Sequence, residues 1–520
     1  MKIQSKAIRK FTTVCLALVF AFSTLGLLAL AAPAEITPQA FYDITNPYAN
    51  VDWASFGQYK AAHHTHSTYS DGSNTRRDML IDKYNKGFDI VAMTDHDTTT
   101  GAWDTLPDPA NRNWNNIGTA ILSAEATTAI RAGTYDASGF AGTFTGRRQQ
   151  DNGMIGMGFS NEITAGAGYA PGVYGGHHIN SFFAQIPGNT GSNRTMAQVI
   201  QFVQDAGGIS HLNHPGRYTG AQNNAALSSN PIHVNRYVQL FMDFPSLVGV
   251  EIINKWDGES INDRILWDNI LVQTAPEGRF VWGFSNDDSH SLSGNGHAWN
   301  VMLMPTFDEA AVRTSMETGA FYGVSRVDRQ HLINHRMPGG ATTPGAPAQT
   351  TTTATQFTGG THNSFSLQML TENAPTISNI IVDGNSISIS GTGFNRIVWI
   401  ADGVVVHTGN SLDVSKVSGI NSYVRAELVG AFGVAYTQPF GISEATIVNT
   451  APAASVRQVP GNTNFLTVNV TETYSNGMTN AIAETIEIRN NASGIYEVGP
   501  YKVFVDTKGN TQIREIYIVR

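Results

Sequence analysis

Histidine, aspartate and glutamate recur at the ends of apolar runs, beginning with AAHHTHSTYSDG at residues 61–72. Ten of the fifteen histidines lie between residues 63 and 290. Later stretches of the same kind are TDHD at 94–97, NEI at 161–163, GHHIN at 176–180, HLNHPGR at 211–217 and DDSH at 287–290. Imidazole and carboxylate groups suit borderline divalent cations such as Zn, Mn, Fe or Co. The distribution therefore raises the hypothesis of a metal site.

Two pairs of these residues are separated by one position, His64 with His66 and Asp288 with His290. In a strand, residues two apart point to the same face, so each pair could hold one ion. Either pair alone is weak evidence, because histidine pairs also occur in solvated or core positions. Histidines in five separate groups at successive strand ends, namely His63/His64/His66, His96, His177/His178, His211/His214 and His290, favour a shared site.

The elements that must position these residues follow from the alternation of short apolar runs with longer helix-like segments over residues 56–304. Predicted strands are Gln58–His64, Asp89–Thr94, Ile155–Ile163, His177–Phe183, Gly208–Leu212, Val248–Asn254, Phe280–Ser285 and His297–Met304. Predicted helices include Arg77–Lys86, Met196–Ala206, Ile261–Leu271 and Glu309–Thr318. This rhythm is typical of an α/β fold with parallel strands. Nearly every candidate ligand falls at the carboxyl end of a predicted strand, where α/β barrels build their chemistry.

The order, spacing and residue types of HTHSTYSDG, MTDHDT, NEI, HHIN, NHPG and NDDSH resemble the polymerase and histidinol phosphatase (PHP) family. The resemblance covers roughly residues 58–324. It implies a distorted (β/α)7 TIM-like barrel and a site of two or three divalent metal ions, with Zn, Mn or Fe as candidates. It also implies hydrolysis of phosphomonoesters or phosphodiesters by a metal-bridged hydroxide.

Nine positions of this sequence match the metal ligands of the family. They are His64, His66, Asp71, His96, Glu162, His178, His214, Asp288 and His290. The resemblance further implies that a third ion would be held by Asp71, His96 and His290. Three positions have a neighbour or rival of the same type: His177 competes with His178, Glu125 with Glu162, and Asp287 with Asp288. His63 and His211 are interpreted as structural or supporting residues, and His233 and His297 as loop or structural residues.

A phosphoryl group also needs positive charge from the protein. Arg217 follows the NHPG turn and could clamp a phosphoryl group in a bidentate manner, although a surface ion pair is an equal alternative. Arg76, which follows the SDG turn with Arg77, is a weaker candidate for substrate binding. We expect Arg217, Asp288 and His290 to be catalytic, and Arg217 and Arg76 to bind the substrate. The inserts at 101–153 and 218–235 are expected to form the mouth of the site.

The N-terminal residues 1–34 are predicted to be a signal peptide. A basic start precedes an apolar run at 11–30, and small-residue cleavage sites follow it. An uncleaved anchor is the alternative, because the run is near spanning length. Cleavage would remove Cys15, the single cysteine, which fits a bacterial envelope or secreted protein. The net charge of −9 argues against broad binding of nucleic acid or anionic membranes.

The character of the chain changes after residue 336. We predict a PHP barrel at 40–336, a Pro-, Gly- and Thr-rich linker at 337–355, a β-sandwich-like module at 356–443 and a second β-module at 445–520. The expected substrate is a small phosphorylated molecule, and the β-modules are candidates for contact with a cell-surface glycan or protein. Two other functions remain open: a metal-dependent amidohydrolase acting on C–N or C–O bonds, and a non-catalytic surface-binding protein.

Overall fold

The computed structural model describes residues 41–98, 101–103, 122–136, 153–168, 176–187, 190–255, 259–326, 374–430, 432–459, 463–488, 492–509 and 511–519. Phe41–Arg520 form one compact unit. The predicted signal peptide at 1–34, the linker at 337–355 and most of the insert at 101–153 lie outside the described residues. Among the described residues, no helix has the length and apolar character that crossing a bilayer requires.

The region before residue 327 alternates strands with helices. Its strands are β1 (Tyr42–Thr45), β2 (Gly57–Ala62), β3 (Ile90–Val91), β4 (Ile155–Gly156), β5 (Asn161–Ala165), β6 (His177–Phe182), β7 (Ile209–Leu212), β8 (Leu247–Asn254), β9 (Trp282–Asn286), β10 (Ala298–Met304) and β11 (Phe321–Ser325). Its helices are α1 (Arg76–Asn85), α2 (Ala124–Arg131), α3 (Met196–Asp205), α4 (Pro215–Thr219), α5 (Pro231–Asp243), α6 (Asp263–Thr274) and α7 (Glu309–Thr318). Every predicted strand and helix overlaps one of these elements.

Five of the seven helices of this region, α1, α2, α3, α5 and α7, begin at a residue whose side chain caps the helix. The Thr75 side chain accepts a hydrogen bond from the Asp78 backbone N–H at the start of α1. Thr195 and Gln198 form a reciprocal capping box at the start of α3. Such caps satisfy backbone N–H groups that have no partner within the helix. The local sequence therefore sets where α1 and α3 begin, and the turn before α1 carries the candidate ligand Asp71.

The strands before residue 327 lie in two sheets. One contains β5, β6, β7, β8 and β9 in chain order, and the other contains β11, β10, β2, β3 and β4 in that spatial order and continues into strands of the C-terminal region, one of which pairs with β1. The sheets approach each other at two isolated bridges, Thr65 with Ser289 and His96 with Glu162. Both bridges fall within ligand-bearing stretches. The closed barrel that the resemblance implies stays a prediction, while the mixed α/β architecture is present.

The expectation of a parallel arrangement holds for part of the molecule. Strands β2, β3 and β4 are parallel, and so are β7, β8 and β9. Strand β6 runs antiparallel to both β5 and β7, and β10 runs antiparallel to β2 and β11. The antiparallel run of β6 has a use, because it brings the first residues of β6 beside the last residues of β7. His178 thereby lies near the turn that carries His214.

The C-terminal region is all β, as predicted. Its strands are β12 (Thr376–Asp383), β13 (Ser386–Thr392), β14 (Arg396–Ala401), β15 (Val404–Thr408), β16 (Ser411–Asp413), β17 (Tyr423–Gly430), β18 (Gly433–Tyr436), β19 (Phe440–Glu444), β20 (Ile447–Val459), β21 (Thr463–Tyr474), β22 (Thr479–Ile488), β23 (Gly494–Val498), β24 (Tyr501–Lys508) and β25 (Gln512–Ile518). Strands β20 to β22 and β23 to β25 form two antiparallel sheets around a shared apolar core.

Strands β17 to β19 are continuous with the sheet that carries the first histidines. Strand β18 pairs with β11, with Tyr436 opposite Gly323. Strand β19 pairs with β1, with Glu444 opposite Tyr42. Main-chain hydrogen bonds therefore cross the boundary predicted between the 40–336 and 356–443 regions. The predicted domain limits stay predictions, but these two regions share one sheet.

Candidate metal centre

The nine predicted ligands lie together where the two sheets meet. His64 and His66 directly follow β2, and His96 follows β3. His214 follows β7, and Asp288 and His290 follow β9. Glu162 is in β5 and His178 in β6. Asp71 is in the turn after His66 and before α1. The site is thus assembled mainly from strand ends, as the sequence indicated.

Their donor atoms form four overlapping groups in which all donors lie within 4.8 Å of one another. The groups are His66, Asp71, His96 and His290; His64, His66 and Asp288; His64, Glu162 and His214; and His96, Glu162 and His178. Each group therefore shares at least one member with another. A set of histidine and carboxylate donors at this spacing fits the binding of divalent metal.

The innermost donor atoms, which belong to His64, His66 and Asp288, are arranged as metal ligands more than as hydrogen-bonding partners. Nε2 of His66 is 3.1 Å from Oε2 of Glu162 and 3.1 Å from Oδ1 of Asp288. Yet Nε2 of His66 and Oδ1 of Asp288 are buried without a hydrogen-bond partner among the described residues, as is Nε2 of His64. Buried polar atoms are normally satisfied. Converging unsatisfied nitrogen and oxygen atoms fit a bound divalent cation.

The electrostatics of the centre agree with this chemistry. Burial alone would raise the pKa of Glu162, but the charges of His178 and His64 hold it well below its usual range. Burial likewise opposes the shift of Asp288, whose pKa is held well below its usual range by His64 and Lys255. These carboxylates therefore stay ionised, and positive charge must lie beside them.

The pKa shifts distinguish a fully buried histidine, His66, from two histidines nearer the surface, His96 and His290. Burial would lower the pKa of His66, but Asp288 and Glu162 raise it to about 9. Burial lowers the pKa of His96, nearer the surface, to about 4. Burial also lowers the pKa of His290. Imidazole ligates metal in its neutral form, so His96 and His290 are ready to bind and His66 must first lose a proton.

The geometry separates the rival residues at three positions. Nδ1 of His178 is 2.9 Å from Oε1 of Glu162, whereas His177 packs against Tyr218. Glu125 is exposed in the first turn of α2 and outside all four donor groups.

Asp287 also points away from the centre. It pairs with Lys83 at 3.1 Å and accepts backbone hydrogen bonds from Gly296, His297 and Ala298. Its neighbour Asp288 has a left-handed backbone, with φ of 42°, which turns its side chain to the other side of the chain. The D-x-H spacing was therefore a useful guide to the carboxylate that joins the cluster.

The two predicted arginines have different surroundings. Arg217, on α4, is 46% exposed and pairs with Glu259 at 3.4 Å. Arg76 is buried, donates a hydrogen bond to Asp95 at 2.8 Å and lies over the ring of Tyr69. Its burial favours a role in holding Asp95, which accepts from the Ser67 backbone, over direct contact with a substrate.

Sequence reasoning missed a buried carboxylate behind the centre. Glu251, in β8, accepts from Nδ1 of His64 at 2.7 Å and from the backbone N–H of His214 at 2.9 Å. The side-chain amides of Asn254 and Asn286 also donate to it. Such partners fix the orientation and tautomer of a ligating histidine. A lone glutamate inside the apolar run LVGVEIIN was the signal that could have revealed it.

Three further residues beside the centre were also missed. Asn213 donates to Oε1 of Glu162 at 2.7 Å. The ammonium of Lys255 is 3.1 Å from Oδ2 of Asp288. The ring of Tyr218 packs against His178 and His214. Asn213 and Lys255 each directly follow a predicted strand, and Tyr218 directly follows Arg217. These positions in the sequence were only a weak indication that the three residues lie at the site.

No protein-family model matches the chain, and no curated protein matches it. Among solved structures, the chain is similar to a two-domain protein from Bacteroides vulgatus that contains a predicted PHP-like metal-dependent phosphoesterase. The identity is 11%, the match covers 84% of this chain and 96% of that chain, and the TM-score is 0.34.

A second similar structure is an amidohydrolase from Chromobacterium violaceum with bound sulfate and no metal. The identity is 13%, the match covers 44% of this chain and 87% of that chain, and the TM-score is 0.25. With TM-scores below 0.5, neither likeness fixes the fold or the activity of this chain. The geometry of the nine residues carries the functional argument instead.

Proposed function

We propose that the protein is a metal-dependent phosphoesterase that hydrolyses phosphomonoesters or phosphodiesters. The observation that carries the proposal is the set of four overlapping donor groups, which are linked because His64, His66, His96 and Glu162 each belong to two of them. Nine histidine and carboxylate side chains converge there, with unsatisfied buried atoms among them. A purely structural role would leave these atoms paired within the protein.

The residues of the chain have separable roles in this proposal. Bound divalent ions would supply Lewis acidity and activate water near neutral pH. The carboxylates of Glu162 and Asp288 would hold such ions close together, and Glu251 would orient His64. Arg217 would leave Glu259 to bind a phosphoryl oxygen, which adds charge stabilisation as phosphorus is attacked. His290, 25% exposed at the outer edge, would hold a further ion or a proton near the leaving group.

The remaining expectations complete the proposal. The chain folds as a distorted (β/α)7 barrel with two C-terminal β-modules, and a signal peptide at 1–34 directs it to the cell envelope or outside a bacterial cell. The centre holds two or three ions, with Zn, Mn or Fe as candidates. The β-modules contact a surface glycan or protein. A small phosphorylated molecule outside the cell is the substrate.

Metal removal tests the proposal directly. Protein purified without added metal is analysed for its elements, then assayed for phosphate release from a panel of monoesters and diesters before and after exhaustive chelation. We expect bound divalent metal, and loss of activity on chelation that returns when metal is added back. Full activity of the metal-free protein would rule the proposal out.

The same panel separates the second candidate, an amidohydrolase. That candidate is favoured by the His-x-His pair at a strand end, which also serves metal-dependent cleavage of C–N and C–O bonds. Amides and carboxylic esters are therefore assayed beside aryl phosphates. Metal-dependent amide hydrolysis with no phosphate release would favour the second candidate.

A further inference from the structure

Lys255 lies at the centre beside its histidine and carboxylate donors. Its ammonium is 3.1 Å from Oδ2 of Asp288, and its side chain is 16% exposed. The backbone of Lys255 is left-handed, with φ of 50°, as are those of His214 and Asp288. This conformation costs roughly 1–2 kcal/mol for a residue with a Cβ atom. A strained backbone at three strand ends around one centre indicates a functional constraint.

Tyr218 provides an independent observation on the same side of the centre. Its hydroxyl is buried and has no hydrogen-bond partner within the described part of the chain. A buried hydroxyl normally has a partner, so this one is available to a ligand. The ring is held in place by His177 and His214, with centroids 4.7 Å and 5.6 Å away. The hydroxyl is therefore positioned before any ligand arrives.

Lys255, Tyr218 and Arg217 lie beside the carboxylates of the centre. The Lys255 ammonium is 3.1 Å from Asp288, while the Arg217 guanidinium pairs with Glu259 at 3.4 Å and lies 6.0 Å from the centre of the Tyr218 ring. The three side chains come from only two strand ends, because α4 directly follows β7 and Lys255 directly follows β8. Strands β7 and β8 are neighbours and parallel. These side chains thus occupy one side of the centre.

The charge on Asp288 decides what Lys255 can do. A carboxylate that ligates a divalent cation has less negative charge left to attract an ammonium, and the cation repels that ammonium. Lys255 then needs a new anionic partner within reach. Glu259 is already shared with Arg217. A phosphoryl group bound at the centre would supply oxygens to the side chains of Lys255 and Arg217, and it would offer an acceptor to the Tyr218 hydroxyl.

We propose that Lys255 and Tyr218 bind phosphoryl oxygens of the substrate, so that with Arg217 they form the anion-recognition side of the centre. This inference rests on the proposed function for the nature of the anion. Lys255 is a substrate-binding residue here, and its contact with Asp288 is the one it gives up when the anion arrives. Its contribution increases with the negative charge of the substrate, so it favours monoester dianions over diester monoanions.

Binding of inorganic phosphate to the metal-loaded full-length protein, measured by calorimetry, tests the proposal without catalysis. We expect Lys255→Met and Tyr218→Phe each to weaken phosphate binding by about tenfold or more, because each removes a hydrogen bond to a charged group. Lys255→Arg should recover part of the loss for Lys255→Met. Lys416→Met and Tyr517→Phe, which change exposed side chains far along the sequence, are the matched controls.

Two further readouts separate substrate binding from a merely structural role. The metal content of Lys255→Met should equal that of the wild type, and KM for a monoester should rise more than KM for a diester. Unchanged phosphate binding in both variants would overturn the proposal. A loss of metal from Lys255→Met would also overturn it, because the lysine would then act by holding Asp288.

The outcomes for this proposal and for the proposed function are distinguishable. A wild-type protein that binds phosphate through Lys255 but hydrolyses no phosphate ester would reject the phosphoesterase and support the anion site. Metal-dependent hydrolysis of phosphate esters that neither Lys255→Met nor Tyr218→Phe changes would support the phosphoesterase and reject the anion site. A metal-loaded wild type that binds no phosphate would reject the anion site.

Discussion

The metal centre and the contact between α6 and β17 are both buried and highly charged, yet they are built in opposite ways. In the second region, Arg425 makes two hydrogen bonds to Asp268, at 2.7 and 2.9 Å, and one to Glu427 at 2.8 Å. The Tyr423 hydroxyl also donates to Asp268. The donors of this network face acceptors of the same chain.

In the metal centre the opposite holds for the innermost atoms. The carboxylates and imidazoles of His64, His66 and Asp288 converge but leave buried atoms without hydrogen-bond partners among the described residues. The difference teaches how to recognise a binding site among buried charges. A charge network that satisfies itself stabilises a fold, while one that is complete only with an added ion is kept for function.

The largest expected effect comes from removing a ligand at the centre. His64→Ala should lower kcat/KM for phosphate esters by about a thousandfold or more, because two donor groups lose a member. In chelator, its free energy of unfolding should change less than that of the Arg425 variant below. Steady-state kinetics and urea unfolding measure both effects, with His407→Ala as control. Activity close to that of the wild type would contradict the functional role assigned to the metal centre.

Breaking the internally satisfied network should affect stability instead. Arg425→Met leaves Asp268 buried without its strongest partner and should lower the free energy of unfolding by about 3 kcal/mol or more. Metal content should not change. Arg514→Met is the matched control, because its ion pair with Asp506 is exposed and worth about 1 kcal/mol or less. Adding Asp268→Leu to Arg425→Met should recover stability, and loss of metal in the single variant would contradict the distinction.

Glu251 sharpens the comparison, because it is fully hydrogen-bonded and yet adjacent to the centre. Glu251→Gln keeps the shape of the side chain but weakens its hold on Nδ1 of His64. We expect metal affinity to fall by about 10- to 100-fold, as for other partners of metal-ligating histidines. Titration with a competing chelator measures the affinity, and Glu317→Gln at an exposed position is the control. An unchanged affinity would place Glu251 with the structural network.

The strand ends and their ligands were predictable because local patterns define them. Short apolar runs place β2, β7 and β9, and each ligand stretch starts where its run stops. The antiparallel course of β6 was not predictable in this way, since an apolar run does not record strand direction. The pairing of β18 with β11 was also hidden, because it joins residues about a hundred positions apart.

The supporting residues were harder to predict than the ligands. Glu251 lies inside a strand whose eight residues are all buried, and only its hydrogen bonds to His64 and other residues brought beside it in the folded chain explain a carboxylate there. Lys255 and Tyr218 depend on side-chain direction, which the left-handed backbone at Lys255 and the packing of α4 determine. Such directions arise from tertiary contacts, and no short motif specifies them.

The pairing of β1 with β19 constrains when the molecule can be completed during its synthesis. Tyr42 is opposite Glu444, so the first strand has no partner in its sheet until roughly 400 further residues have been made. At about 5–20 residues per second, that interval lasts on the order of 20–80 s. During this time the edge of the growing sheet is unpaired, and a chaperone has a window in which to engage the chain.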